Sequence, residues 1–199
     1  MSALCIIPAR GGSQRIPGKN IREFLGKPII AYSIECAQSS GLFERVAVST
    51  EDPDIAGLAH ALGVSVYQRP IELARDEVGT QEVMAFHARQ EAGLGVLFDF
   101  MCCLYPCAPL LEPQTLQRAA MLLTSGRAYV VPVATWLRDP GQFYLGWSWA
   151  FQTDTPLLAS TTTILPIDPE TECDINTEED WLRAEDLYRA RRARTVPLS

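Results

Sequence analysis

Lysine is almost missing from this chain. Of its 17 basic residues only two are lysine, Lys19 and Lys27, and both fall in the first 27 positions. Acidic residues number 24, so the net charge is −7. That balance excludes broad binding to nucleic acid or to an anionic membrane surface, while leaving room for one local basic site. Histidine is as scarce. His60 and His87 stand too far apart to suggest a zinc site. The six cysteines, Cys5, Cys36, Cys102, Cys103, Cys107 and Cys173, form no C-x-x-C pair and mostly sit in apolar runs. They read as reduced, buried thiols of a cytoplasmic protein. Long apolar runs are lacking too. The stretch Phe100 to Leu111 falls short of the ~18 residues that a membrane-spanning helix needs. The first residues carry no basic segment ahead of their apolar run, so they do not read as a signal peptide. No repeat, low-complexity tract or linker breaks the chain.

What is present suits an ordinary globular domain. With 47% hydrophobic and 21% charged residues over 199 positions, the chain can fill one core. Short apolar runs alternate with helical periodicity. Ala3–Pro8 reads as a buried strand, as do Val46–Ser49, Val64–Tyr67, Asp99–Leu104, Tyr129–Val133 and Thr161–Leu165. Helices are expected over Pro28–Ser39, from Asp52-Pro53 to Gly63, and over Thr80–Ala92 and Glu112–Thr124. Gln142–Trp149 reads as an aromatic strand or hairpin. Thr177-Glu178-Glu179-Asp180 has the form of a capping box at the start of a last helix. The arginines from Arg189 to Arg194 crowd that helix's end, where its dipole favours cations. Such alternation predicts an α/β fold, a mostly parallel sheet with helices on both faces. Ligands bind these sheets beyond the carboxyl ends of the strands.

That rule singles out the loop after the first strand, Ala9-Arg10-Gly11-Gly12-Ser13-Gln14-Arg15-Ile16-Pro17-Gly18-Lys19-Asn20. Paired glycines let backbone N–H groups approach an anion closely. Arg10, Arg15 and Lys19 add three positive charges. The combination suits a triphosphate. It matches neither the Walker P-loop nor the dinucleotide G-x-G-x-x-G pattern. By itself it also describes a surface loop with scattered charge.

Ile7-Pro8-Ala9-Arg10-Gly11-Gly12-Ser13 followed by Ile16-Pro17-Gly18-Lys19-Asn20 resembles the signature of the sugar-acid cytidylyltransferases, the CMP-sialic acid synthetase group. Gly26–Ile34, Val48–Asp52 and Arg69–Ala74 resemble later segments of that family, as does Asp174-Ile175-Asn176-Thr177. Tyr105 and Gly141-Gln142-Phe143-Tyr144 are similar to the pseudaminic acid branch. The resemblance implies a three-layer α/β/α domain over residues 1–199 with a Rossmann-like sheet, of the nucleotide-diphospho-sugar transferase type. It implies a reaction in which CTP and a nonulosonic acid give a CMP-sugar and pyrophosphate, with Mg²⁺. Ala9, Arg10, Gly11, Gly12, Ser13 and Lys19 would hold the triphosphate. Asn20 would contact the nucleotide, and Arg69 would approach its cytosine and ribose side. Tyr105, Arg138, Gln142 and Tyr144 would line the sugar pocket. Asp174 and Asn176 would hold the metal, and Arg10, Lys19 and Asp174 would carry the catalysis.

Two departures from the family pattern stand out. Asn176 takes the place of a second metal aspartate, and an amide brings no charge to the ion. The long insertion that forms the family's dimerisation arm is cut to a bridge at 132–140, which leaves the expected homodimer without its arm. An active synthetase is the first reading. A catalytically impaired nucleotide-binding relative, and a nucleotidyltransferase of other base or sugar specificity, remain as alternatives.

Overall fold

The computed structural model describes residues 1–134, 138–153 and 155–195. The predicted alternation folds into one seven-stranded sheet with helices on both faces. Strand β1 (Ala3–Pro8) lies inside it, between β4 (Arg45–Thr50) and β6 (Phe100–Leu104), parallel to both. Beside β4 runs β5 (Ser65–Gln68). On the other side come β8 (Phe143–Trp147), β7 (Tyr129–Val133) and β9 (Thr162–Pro166), giving the order β5-β4-β1-β6-β8-β7-β9. A separate two-stranded ribbon, β2 (Glu23–Phe24) with β3 (Lys27–Pro28), turns through Leu25 and Gly26, both at positive φ.

The unbroken apolar run of β1 is explained by cover on both faces. Cys5 and Ile7 pack with Ile30 and Ile34 of α1 (Ile29–Ser39) and Leu116 of α4 (Pro113–Leu122). Leu4 and Ile6 point the other way, toward Met84 and Ala88 of α3 (Thr80–Gly93) and Phe151 of α5 (Ser148–Gln152). The short helix α2 (Pro53–Ala61) begins as its sequence requires. Asp52 Oδ1 accepts from the N–H groups of Asp54 and Ile55 at 2.9 and 3.0 Å, and Pro53 fills the first turn.

The last third departs from expectation in one respect. Residues 148 and 149 belong to α5, so the aromatic segment is a strand followed by a helix. Strand β8 is antiparallel to both neighbours. Only the nine residues 134–142 join β7 to β8, fewer than a parallel crossover needs, so the chain doubles back instead. Tyr129 lies over Gly146, where a Cβ would come within 2.3 Å of the ring. Residues 135–137 of the 132–140 bridge lie outside the described part. Its ends are joined by the Ala134 N–H donating to the Arg138 carbonyl at 2.9 Å.

The final helix α6 (Glu178–Thr195) docks across the ribbon and α1 through Trp181 and Ala184. Its start is the predicted reciprocal cap. Asp180 Oδ2 accepts from the Thr177 N–H at 2.8 Å, and the Asp180 N–H donates to Thr177 Oγ1 at 3.2 Å. Arginines of its last turns pair with carboxylates, Arg189 with Glu185 and Arg194 with Glu170. No helix among the described residues is long and apolar enough to cross a membrane.

Candidate active site

At the carboxyl ends of β1, β4, β5 and β6 lies a cleft of about 470 Å³. Arg10, Ser13, Lys19 and Asn20 of the glycine-rich loop line it, together with Arg69 after β5, Tyr105 after β6 and Asp174 before α6. Arg15 and Arg75 face it as well. Five cationic side chains thus converge on one cleft of a chain with net charge −7. A low-dielectric wall focuses their field on an incoming polyanion.

The loop is held in place rather than left loose. The Ala9 N–H donates to the Ser49 carbonyl at 2.9 Å. The buried Asn20 amide donates to the Arg10 carbonyl at 2.9 Å, and the Cys107 thiol donates to Asn20 Oδ1 at 3.4 Å. Asn20 therefore braces the turn. The Gly11 N–H donates to Glu51 Oε1 at 2.8 Å. Lys19 Nζ donates to the Ile175 carbonyl at 2.8 Å and ties the loop to the segment that carries Asp174. Arg10 is paired with Asp76, which also accepts from the Gln14 amide at 3.1 Å.

Gly11 is sterically required. A Cβ there would stand 2.1 Å from Asp52 Oδ2 and 2.9 Å from Asp52 Cβ. Asp52 cannot move aside cheaply, because its other oxygen caps α2. We expect Gly11→Ala to destabilise the fold by about 1–3 kcal/mol. Gly12→Ala, with nothing within 4 Å of its Cβ position, should be near neutral. Urea unfolding of the two variants checks this, and equal midpoints would contradict it.

Arg69 is 5% exposed. Its Nε donates to Ser49 Oγ at 3.1 Å and its Nη2 to the Ser49 carbonyl at 2.7 Å. Burial lowers its pKa from the usual arginine value, and Glu51 opposes the shift. On the far wall the Tyr105 hydroxyl bonds to Thr80 Oγ1 at 2.9 Å, and its ring meets that of Tyr144 edge-on at 5.8 Å. Burial pushes the Tyr105 phenol up to about 12, so it stays neutral. Burial, with Tyr105 and Asp139 nearby, likewise raises that of Tyr144.

Ala9, Gly11 and Gly12 of the expected triphosphate site, three expected sugar-pocket residues and one expected metal ligand are not among the cleft's lining. Gln142 is fully buried, and its amide donates to the Thr171 carbonyl. Tyr144 sits behind Tyr105 and donates to Asp139. Arg138 pairs with Glu172 at 2.5 Å on the other side of Asp174. The Asn176 N–H donates to Asp180 Oδ2 at 3.0 Å, at the head of α6. Asp76, Arg75 and Thr80 line the cleft unannounced, for only folding carries the segment after Arg69 across its mouth.

The Asp174 carboxylate is exposed in the cleft, and no donor among the described residues holds it. No cluster of three or more His, Cys, Asp or Glu that could cage an ion exists among the described residues. One free carboxylate beside several cations is a donor set that fits a hard cation sharing its coordination with a bound polyanion. It does not fit a metal caged by protein alone.

A sheet of this order with a cationic cleft at its carboxyl edge is a nucleotidyltransferase architecture. The cytidylyltransferase family profile matches residues 4–163, and the chain belongs to that family. It is 32% identical to the pseudaminic acid cytidylyltransferase of Campylobacter jejuni, over 95% of this chain and 97% of that protein. It is 39% identical to the CMP-N,N'-diacetyllegionaminic acid synthase of Legionella pneumophila, over 60% of this chain and 52% of that one. In fold it is similar to a CMP:2-keto-3-deoxy-manno-octonic acid synthetase complexed with CTP, with a TM-score of 0.72 at 15% identity, covering 96% of this chain and 100% of the other. Nucleotidyltransferases of this family use a divalent metal.

Proposed function

We propose that this enzyme activates a nonulosonic acid of the pseudaminic type with CTP, giving the CMP-sugar and pyrophosphate. The observation that carries the proposal is the convergence of the loop's cations, Arg69 and a free Asp174 carboxylate on one cleft. Arg10, Ser13, Lys19 and the Gly12 N–H hold the triphosphate, while the Ala9 and Gly11 N–H groups, bonded to Ser49 and Glu51, set the shape of the loop. Asn20 fixes the loop that makes this possible. Arg69 reaches the nucleoside side, and Tyr105 with Tyr144 behind it walls the sugar side. Asp174 holds Mg²⁺, which supplies neutralisation of the phosphate oxygens when bound.

The anomeric hydroxyl oxygen bonds to the α-phosphorus. The bond from that phosphorus to the oxygen bridging to the β-phosphate breaks, and pyrophosphate leaves with the electron pair. The hydroxyl proton passes to solvent. Little is asked of the protein beyond alignment and charge. Arg10 and Lys19 offset the charge that gathers on the leaving pyrophosphate, and the pinned loop keeps attacker and leaving group in line.

Arg138 and Gln142 support the site from outside the lining, Arg138 through Glu172 next to the Asp174 segment. We read residues 1–199 as one domain whose arm is shortened at 132–140. The alignment with the C. jejuni enzyme runs over 225 positions whereas this chain has 199 residues, so the relative carries residues without a counterpart here. Six free, buried cysteines suit the cytoplasm as its place of work.

Incubation with CTP, Mg²⁺ and a panel of nonulosonic acids should release pyrophosphate, fastest with pseudaminic acid. A folded sample that binds CTP and releases none with any sugar acid would defeat the proposal in favour of an impaired relative.

A further inference from the structure

Behind the cleft wall lies a buried polar relay that the reaction does not touch. His87 of α3 is 0% exposed. Its Nε2 stands 2.8 Å from Ser49 Oγ, and its Nδ1 stands 3.3 Å from Gln90 Oε1. The same Ser49 oxygen accepts from Arg69 Nε at 3.1 Å. Arg69 also donates Nη2 to the Ser49 carbonyl at 2.7 Å. One serine thus grips two of the three guanidinium nitrogens, and Nη1 remains for the cleft.

The donors can be counted. Arg69 has only protons to give, so Ser49 Oγ is an acceptor toward it. The serine's own proton needs an acceptor, and a buried hydroxyl left idle is costly. Nε2 of His87 is that acceptor if it carries no proton. The imidazole proton then sits on Nδ1, facing the Gln90 carbonyl oxygen. Burial, with Arg69 nearby, lowers the His87 pKa to about 4, so the ring is neutral at working pH. The ring packs against Tyr67 and Phe86, with centroids 5.3 and 5.0 Å away, which fixes its plane. Glu91, the charged neighbour on the same helix, is turned to Arg45 at 3.0 Å and Tyr67 at 2.6 Å.

We propose that His87, as its Nδ1–H tautomer, is a positioning residue for nucleotide binding: it orients the Ser49 hydroxyl so that this oxygen fixes the Arg69 guanidinium toward the cleft. The proposal rests on reading Arg69 as a nucleotide contact. His87 touches no substrate and acts only through Ser49 and Arg69.

The test has two parts. In ¹⁵N-labelled wild-type protein, long-range proton–nitrogen correlation should show His87 protonated at Nδ1 and bare at Nε2. A proton on Nε2 would overturn the proposal even if no variant folds. Calorimetric titration with CTP is the second part. His87→Leu, of similar bulk but without an acceptor, should weaken CTP by about tenfold, as loss of one buried hydrogen bond does. His87→Gln places an amide oxygen near the Nε2 position and should restore the affinity to within about twofold. Adding His87→Leu to Arg69→Ala should change nothing further, because groups acting as a unit are not additive. Wild-type affinity in folded His87→Leu, or an additive double variant, overturns the proposal. Wild-type affinity in Arg69→Ala instead overturns the reading beneath it.

Discussion

Asp174→Ala should lower kcat by a factor on the order of 10²–10³ while leaving the fold intact. The carboxylate is exposed and no described group leans on it, so its removal should shift stability by no more than about 0.5 kcal/mol. Binding of CTP without Mg²⁺ should persist, since Arg10, Lys19 and Arg69 are untouched. Wild-type and variant are compared by pyrophosphate release at saturating substrates and by calorimetry with CTP in chelator. A variant that turns over like the wild type would remove Asp174 from the chemistry. The effect is expected to be large because the described cleft offers a bound cation this one free carboxylate, with no cage to compensate for its loss.

The second large effect concerns acid. His87 titrates near 4 in the fold, mainly because it is buried, against about 6.5 in an unfolded chain. Between those values the unfolded state binds a proton that the native state refuses. The contribution of His87 is therefore fully present above about pH 6.5 and is lost as pH falls toward 4. Between pH 7 and pH 5 the loss amounts to about 2 kcal/mol. His87→Gln has nothing to titrate there, so its unfolding free energy should fall less over the same interval. Carboxylates contribute to both proteins alike, and the difference between them isolates the histidine. Urea unfolding at the two pH values checks it. Parallel slopes for wild type and variant would show that His87 does not carry this charge cost.

The two predictions separate what a surface group and a buried one can do. Asp174 is open to a ligand because no group among the described residues competes for it. His87 can act only on its neighbours, and it does so by staying neutral. Arg69 stands between these cases, buried on one side and open to the cleft on the other.

By itself the sequence determined most of the elements and pointed to the loop after β1 as the place of a site. Local rules suffice for those. Asp52-Pro53 caps α2 and Thr177 with Asp180 caps α6, because a helix start needs acceptors within a turn of itself. The apolar run of β1 places it inside the sheet, and the loop after it emerges at the carboxyl edge. The loop's glycines and cations, with the resemblance of nearly the whole chain, specified the family before any contact was known. Other features rest on partners distant in the chain, and only the tertiary structure decided them. Gln142 is drawn away from the cleft by Thr171, and Tyr144 stands behind Tyr105 because β8 runs antiparallel between β6 and β7. Asp76 reaches Arg10 across 66 residues of chain. His87, one of only two histidines, has no motif around it to give it a role. Folding brings it within hydrogen-bond distance of Ser49, and so within one residue of Arg69. Burial, which no sequence displays, keeps it neutral there. The scarcity of lysine also takes its meaning from the fold. Lys19 is one of two, and the structure spends it on the wall of the cleft, tied to the segment that carries Asp174.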